Sequence, residues 1–255
     1  MLSKPINAQT VLVTGAGRGL GAAIATAFAN AGAGVVINYR NSQSAAQALA
    51  DRLGDRAIAV CADVTDADAV AAMVAEATDR LGPITTVVHN ALADFSFNGD
   101  TRKTLASLPA ADMLAQHATA VLGALNVIKA VVPAMEAAHF GRIITIGTNL
   151  LQNPVVSYHD YTSAKAALLA LTRTAAAELG PKGITVNMVS GGLLRTTDAS
   201  AATPEAVFDL IASSTPLGSV TTPEEVADAT LFFASPWARA VTGQNLIVDG
   251  GLVFG

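Results

Sequence analysis

Residues 10–31 constrain the fold of this chain more than any other stretch. Thr10-Val11-Leu12-Val13-Thr14 is a short β-branched run that stops at a glycine. Gly15-Ala16-Gly17-Arg18-Gly19-Leu20-Gly21 follows, and then a helical pattern through Ala31. A strand, a glycine turn and a helix in that order aim backbone N–H groups outward at the helix N-terminus, and the glycines let a pyrophosphate approach them. The spacing is Gly-x-x-x-Gly-x-Gly, because the Gly-x-Gly-x-x-Gly form would need glycine where Leu20 stands. A glycine turn can be merely structural. Directly after a first strand, and ahead of a chain that keeps alternating β and α, we read it as a nucleotide site.

The alternation continues to the end. Apolar, β-branched runs predict strands at 35–40, 57–61, 84–89, 141–148, 183–189 and 244–248. Helical patterns fall between them at 66–81, 109–135 and up to about 179, with a short helix at 205–212. A last helix opens with Thr222-Pro223, a threonine cap followed by proline in the first turn. The expectation is an α/β chain, a single domain over 1–255 with a doubly wound, Rossmann-type parallel sheet of about seven strands and helices on both faces. Ligands then bind beyond the carboxyl ends of the strands. Small polar residues from about 193 to 216 read as a mobile lid over that site.

An acidic residue near the end of the second strand would bind a ribose 2′-hydroxyl and select NAD. Asn38-Tyr39-Arg40-Asn41-Ser42 offers a cation and amide or hydroxyl donors instead. Arg40, helped by Arg18 in the glycine turn, suits a 2′-phosphate, since a guanidinium binds phosphate bidentately. NADP(H) is the cofactor expected, against the alternative that both arginines are solvated. Asp63-Val64 follows the third strand, where a carboxylate can meet an adenine amine or cap the next helix.

Tyr161 and Lys165 are four residues apart, so on a helix they share a face one turn apart. A lysine ammonium beside a phenol favours the phenolate and is expected to lower the tyrosine pKa, giving a usable proton donor near neutral pH. Thr148 ends the apolar run of Ile143, Ile144 and Ile146 and can offer a hydroxyl to a substrate oxygen. The bland alternative for the pair is a half-buried aromatic beside a surface lysine.

Composition removes several classes. Hydrophobic residues make up 51% of the 255 and charged ones 14%, enough to fill a large core and to leave part of the surface for other subunits. A net charge of −5 without a basic block argues against nucleic acid. The one cysteine, Cys61, rules out an internal disulfide framework and a Cys-rich metal site, and it is expected to be buried in its strand. Met1-Leu2-Ser3-Lys4-Pro5 lacks the layout of a signal peptide, and no uninterrupted apolar run reaches about 18 residues. A soluble, cytoplasmic protein with no membrane contact is expected.

Thr14-Gly15-(x)3-Gly19-x-Gly21, Asn90-Ala91, Tyr161-(x)3-Lys165 and Thr242-Gly243-Gln244-(x)4-Asp249-Gly250-Gly251 resemble, in joint order and spacing, the short-chain dehydrogenase/reductase family. The likeness spans essentially the whole chain and is greatest to members of the 3-oxoacyl-[acyl-carrier-protein] reductase type. It implies Tyr161 as general acid, Lys165 as the residue that lowers its pKa and binds the nicotinamide ribose, and Thr148, where the family usually has serine, on the carbonyl oxygen. It also implies that Asn90 and Asp63 contact the adenosine half, and that Leu194 and Thr196 contact the nicotinamide carboxamide. Gly15, Gly17, Arg18, Gly19, Leu20, Gly21, Arg40, Val64 and Gly192 complete the expected cofactor site. The substrate implied is a small ketone or a 3-oxoacyl thioester, and the assembly a homotetramer. The helices at 109–135 and around Tyr161 are apolar all round, as buried interfaces require.

Four departures from the family pattern stand out. The asparagine expected on the long helix is Ala120, with His117, Thr119 and His159 the polar side chains that could serve its proton relay. His89-Asn90-Ala91-Leu92 replaces Asn-Asn-Ala-Gly, and Gly191-Gly192 replaces Pro-Gly after the sixth strand, which would loosen the lid hinge. The loop at 92–108 is longer than usual and carries Phe95, Phe97, Arg102 and Lys103. It forms one wall of the substrate site or is an ordinary surface excursion. Ala120, Leu92 and Gly191 also motivate an alternative: an NADP-binding sensor or structural subunit with little catalysis. An enoyl-thioester reductase would space its tyrosine and lysine more widely.

Overall fold

The computed structural model describes residues 3–97 and 99–254. Met1, Leu2, Gly255 and Asn98, the last inside the loop expected at 92–108, lie outside the described residues. Seven strands form one sheet: β1 (Thr10–Val13), β2 (Gly34–Tyr39), β3 (Ala57–Cys61), β4 (Thr86–His89), β5 (Gly141–Thr148), β6 (Ile184–Gly191) and β7 (Asn245–Val248). Their order is 3-2-1-4-5-6-7, with every neighbouring pair parallel. The helices between them are α1 (Gly19–Asn30), α2 (Gln43–Leu53), α3 (Ala67–Leu81), α4 (Ala110–His117), α5 (Gly123–Ala137), α6 (His159–Leu179), α7 (Glu205–Ser214) and α8 (Pro223–Ala234).

Period-2 alternation sends the strand side chains to two cores. Val11, Val13, Val35, Ile37, Ile144 and Ile146 pack with Ile24 and Phe28 of α1, Leu49 of α2 and Phe233 of α8. Leu12, Val36, Val87, Ile143 and Val186 face the other way, against Met73 of α3, Val127 and Val131 of α5 and Leu179 of α6. Because both faces are covered, the strands read as unbroken apolar runs. From β1 the chain runs outward through β2 and β3, then returns to β4 on the other side of β1. The strand order therefore reverses between β1 and β4, and a crevice opens there.

Three expectations need correction. Asp66, not Asp63, caps α3: its carboxylate accepts from Asp68 N at 2.9 Å and Ala69 N at 3.1 Å. Asp63 folds onto its own turn, accepting from the backbone and hydroxyl of Thr65. Cys61 is exposed, because it ends the edge strand β3. The long apolar helix is not uniform. It spans Ala110–Ala137 but widens into a π turn at Ala118–Leu122, between α4 and α5. By length and composition that helix could cross a bilayer; here Val127, Val131 and Met135 bury one of its faces against the sheet.

Candidate active site

A crevice of about 840 Å³ runs along the carboxyl ends of β1, β4, β5 and β6. Of the residues expected to form the site, Gly15, Arg18, Gly19, Leu20, Gly21, Arg40, Asn90, Tyr161, Lys165, Gly192 and Leu194 line it. Gly17, Asp63, Val64, Thr148 and Thr196 do not.

The glycine turn is built from below. Asn38, buried at the end of β2, accepts from Gly15 N through its side chain at 3.2 Å and from Ala16 N through its carbonyl at 2.8 Å. Asn90 donates its amide to the Thr14 and Gly15 carbonyls at 3.1 and 3.2 Å. Gly19 has φ +54°, a conformation that costs a side chain dearly. A Cβ at Gly21 would run into the Gly15 carbonyl and lie 2.6 Å from the Asn90 amide. Arg18 occupies the N-cap of α1 without a side-chain cap bond, so the first-turn N–H groups are left for an anion. Gly17 packs against Ser42 instead of facing the crevice, and Val64 sits in the core with its carbonyl on Asn126.

Arg40 reaches the crevice held by two carboxylates, Asp63 at 3.7 Å and Asp94 at 3.6 Å. Asp63 thus faces Arg40. Partial burial pushes the Asp63 carboxyl up, but hydrogen bonds from Thr65 and the Arg40 guanidinium outweigh this and leave it below its ordinary value. Arg18 pairs with Asp198 at 3.5 Å, linking the glycine turn to the segment after β6. In that segment Thr197, not Thr196, lines the crevice; Thr196 is exposed. Ser200, which the sequence did not single out, is buried and donates to the Leu194 carbonyl at 2.7 Å, shaping the turn.

Tyr161 and Lys165 stand one turn apart on α6, both buried, as their spacing requires. Lys165 donates from Nζ to the Ile146 carbonyl at 2.7 Å and lies 5.7 Å from the Tyr161 ring centroid. Thr148 is buried at the end of β5, accepts from Leu150 N at 3.3 Å, and its hydroxyl favours the Tyr161 phenolate. The expected acidification of the phenol is absent. Burial pushes Tyr161 up to about 12, outweighing the Thr148 hydroxyl, and pushes Lys165 down to about 8. Both shifts have one cause: a dry site disfavours either charge more than the pair favours it. The phenol therefore stands protonated at neutral pH, the state a proton donor needs.

His89 ends β4 at the back of this site. Thr14 Oγ1 accepts from Asn90 N and Ala91 N, both at 3.0 Å, so its single proton goes to His89 Nδ1 at 3.3 Å. That leaves Nε2 protonated, donating to the Thr119 carbonyl in the π turn at 3.2 Å. Burial and the nearby Lys165 charge push His89 down to about 4. Between pH 6.5 and about 4 the unfolded chain binds a proton that the folded chain does not, so stability falls as acid is added. At about 1.4 kcal/mol per pH unit this amounts to about 3 kcal/mol. Urea unfolding at pH 7 and pH 4.5 should show a His89→Gln variant losing most of that acid slope.

A crevice at the switch point of a parallel sheet, with an uncapped helix at one end and a buried phenol at the other, is the construction of a dinucleotide-dependent oxidoreductase. Comparison with known proteins agrees. The family model described as "Enoyl-(Acyl carrier protein) reductase" matches residues 15–253. A 3-oxoacyl-[acyl-carrier-protein] reductase of Synechocystis sp. is 37% identical over 98% of both chains. A gluconate 5-dehydrogenase from Burkholderia cenocepacia, solved with NADP and tartrate, superposes with a TM-score of 0.86 at 32% identity, covering 96% of this chain and 95% of that one. A blue fluorescent protein from a metagenomic library, solved with NADPH, gives 0.86 at 33%, covering 98% and 100%. The chain belongs to the short-chain dehydrogenase/reductase family.

Proposed function

We propose that the protein reduces a ketone to a secondary alcohol using NADPH, with the 3-oxoacyl thioester one member of the possible substrate class. The observation that carries this is the buried, protonated Tyr161 phenol, one helical turn from Lys165 in the same crevice as the glycine turn. NADPH, when bound, supplies the hydride. The first turn of α1 would hold its pyrophosphate, and Arg40 and Arg18 would take the 2′-phosphate in place of a carboxylate partner. Lys165 would hold the ribose hydroxyls with the N–H groups that Ile146 leaves over, and Leu194 and Gly192 would pack against the nicotinamide. Tyr161 gives its proton to the carbonyl oxygen as the carbon gains hydride. Thr148 steadies that oxygen, and Lys165 the phenolate left behind. The segment at 193–216 acts as the lid of a single catalytic domain.

The test is NADPH oxidation against a panel of ketones, diketones and 3-oxoacyl thioesters. Binding of NADPH with no turnover on any of them would favour a sensor or structural subunit instead. Arg40→Ala should raise the Kd for NADPH by roughly 10–100-fold and leave that for NADH within about threefold, since one charge-assisted phosphate contact is worth about 1.5–3 kcal/mol. Equal loss for both cofactors would remove Arg40 from the 2′-phosphate site. Leu114, Leu122 and Leu125 are exposed on the long helix, and Leu246 on the edge strand β7. A homotetramer in the cytoplasm covers such faces, and light scattering at micromolar concentration checks it.

A further inference from the structure

The crevice ends in rings. Phe95 stacks on Tyr161, centroids 4.9 Å apart and planes 22° apart, and Phe97 meets the same ring edge-on at 5.4 Å. The two phenylalanines lie edge to face at 5.1 Å, and the buried Tyr158 is edge-on to both, at 5.1 and 5.9 Å. Phe95 and Phe97 are only half-buried and line the crevice beside Tyr161 and Lys165. Each therefore keeps surface for whatever enters.

This wall is pinned in place. Phe97 N donates to the Ala199 carbonyl at 2.9 Å, and Thr203 Oγ1 donates to the Phe97 carbonyl at 3.1 Å. The long loop and the lid segment are thereby joined through Phe97. The charged side chains of the crevice are drawn toward the phosphate end: Arg18 to Asp198, Arg40 to Asp63 and Asp94. Within the crevice Lys165 is the cation beside the rings, buried on the Ile146 carbonyl; Arg102 and Lys103 line an adjoining pocket that shares Phe95 with it and reaches Tyr158. The ring end of the crevice itself is thus lined mainly by apolar groups. It offers flat apolar faces within reach of the proton donor.

We infer that Phe95 and Phe97 are specificity-determining residues, and that the preferred ketone carries its carbonyl on or next to a flat ring held against them. The inference rests on the reductase reading and narrows it. A rigid ring gains the face and edge contacts that a flexible chain cannot make, and it loses fewer rotatable bonds on binding. Leucine at either position keeps an apolar side chain but removes the ring face.

The experiment compares kcat/KM for β-tetralone, a fused-ring ketone, with that for methyl octyl ketone, an open chain of equal carbon count, and with acetoacetyl-CoA. The expected result is a preference of about tenfold or more for β-tetralone over both, the effect of one or two aromatic pairs. Phe95→Leu and Phe97→Leu should each reduce the ratio of β-tetralone to methyl octyl ketone severalfold. Taking the ratio within one variant cancels general damage to the site. Calorimetry on the NADP-loaded protein should show β-tetralone bound severalfold more weakly by Phe97→Leu. A ratio near one in the unaltered protein, or a ratio that neither substitution moves, overturns the ring assignment and leaves the reductase standing. Turnover of none of the three compounds overturns both.

Discussion

Tyr161→Phe lowers kcat for ketone reduction by roughly 10³-fold while the Kd for NADPH changes by less than about twofold. The substitution removes one oxygen, the proton donor, and keeps a ring that still stacks with Phe95. The glycine turn and Arg40 would hold the phosphates from other elements, α1 and β2, and the one side chain that acts on the phenol's titration is Thr148. Loss of a positioned general acid accounts for about 10²–10⁴ in rate, and the missing hydrogen bond to the developing alkoxide acts in the same direction. Stopped-flow or steady-state oxidation of NADPH measures the first quantity and fluorescence titration of NADPH the second. A variant that keeps a tenth or more of its turnover would mean that another group delivers the proton.

Lys165→Met gives a protein with kcat reduced by two or more orders of magnitude but with a higher melting temperature. The ammonium is buried, and its pKa falls from 10.5 to about 8. At about 1.36 kcal/mol per unit, keeping that charge in the folded protein at pH 7 costs about 3 kcal/mol. Methionine removes the charge at similar length and forfeits the bond to the Ile146 carbonyl, a loss of about 2 kcal/mol. The balance is about 1 kcal/mol of added stability, or roughly 2–4 °C in Tm for a chain of this size. The sign can be checked in the unaltered protein as well. Between about pH 8 and 10.5 the unfolded chain holds a proton that the folded chain has released, so stability rises with pH across that window. Turnover runs the other way. The reduction rate declines as pH passes about 8, because the charge that steadies the phenolate is lost. Calorimetric Tm values at pH 7 for both proteins decide it; a lower Tm in the variant contradicts the cost assigned to the buried ammonium.

Tyr161 and Lys165 separate what spacing decides from what burial decides. Their four-residue spacing places them on one helix face, and the structure keeps them there. The same spacing suggested an acidified tyrosine, yet the isolated protein has a phenol pushed the other way. Spacing sets which groups are neighbours. A pKa depends on how much water remains around them, and that is decided by β5 beneath the pair and by the long loop, whose Phe95 and Phe97 pack on the phenol ring. Thr196 and Thr197 make the same point: adjacent in sequence, one is exposed and the other faces the crevice, because a turn held by Ser200 chooses between them.

His89 is a third case. In sequence it stood out only as a misfit at the end of a strand. Its role needs two partners, Thr14 after β1 and the Thr119 carbonyl in the π turn, with the proton count of Thr14 selecting its tautomer. Likewise Arg40 was legible as a cation at the end of β2, but its two carboxylate partners lie 23 and 54 positions further on.

What the order of residues determined by itself is the alternation of strand and helix, the glycine turn after β1 and the face shared by Tyr161 and Lys165. All of these follow from side-chain period and backbone freedom within a few residues. Only the tertiary structure decided how dry the phenol is, which carboxylates hold Arg40, and that Phe95 and Phe97 close over Tyr161. Burial and long-range pairing depend on segments far apart in the chain meeting at one place, which local periodicity does not encode.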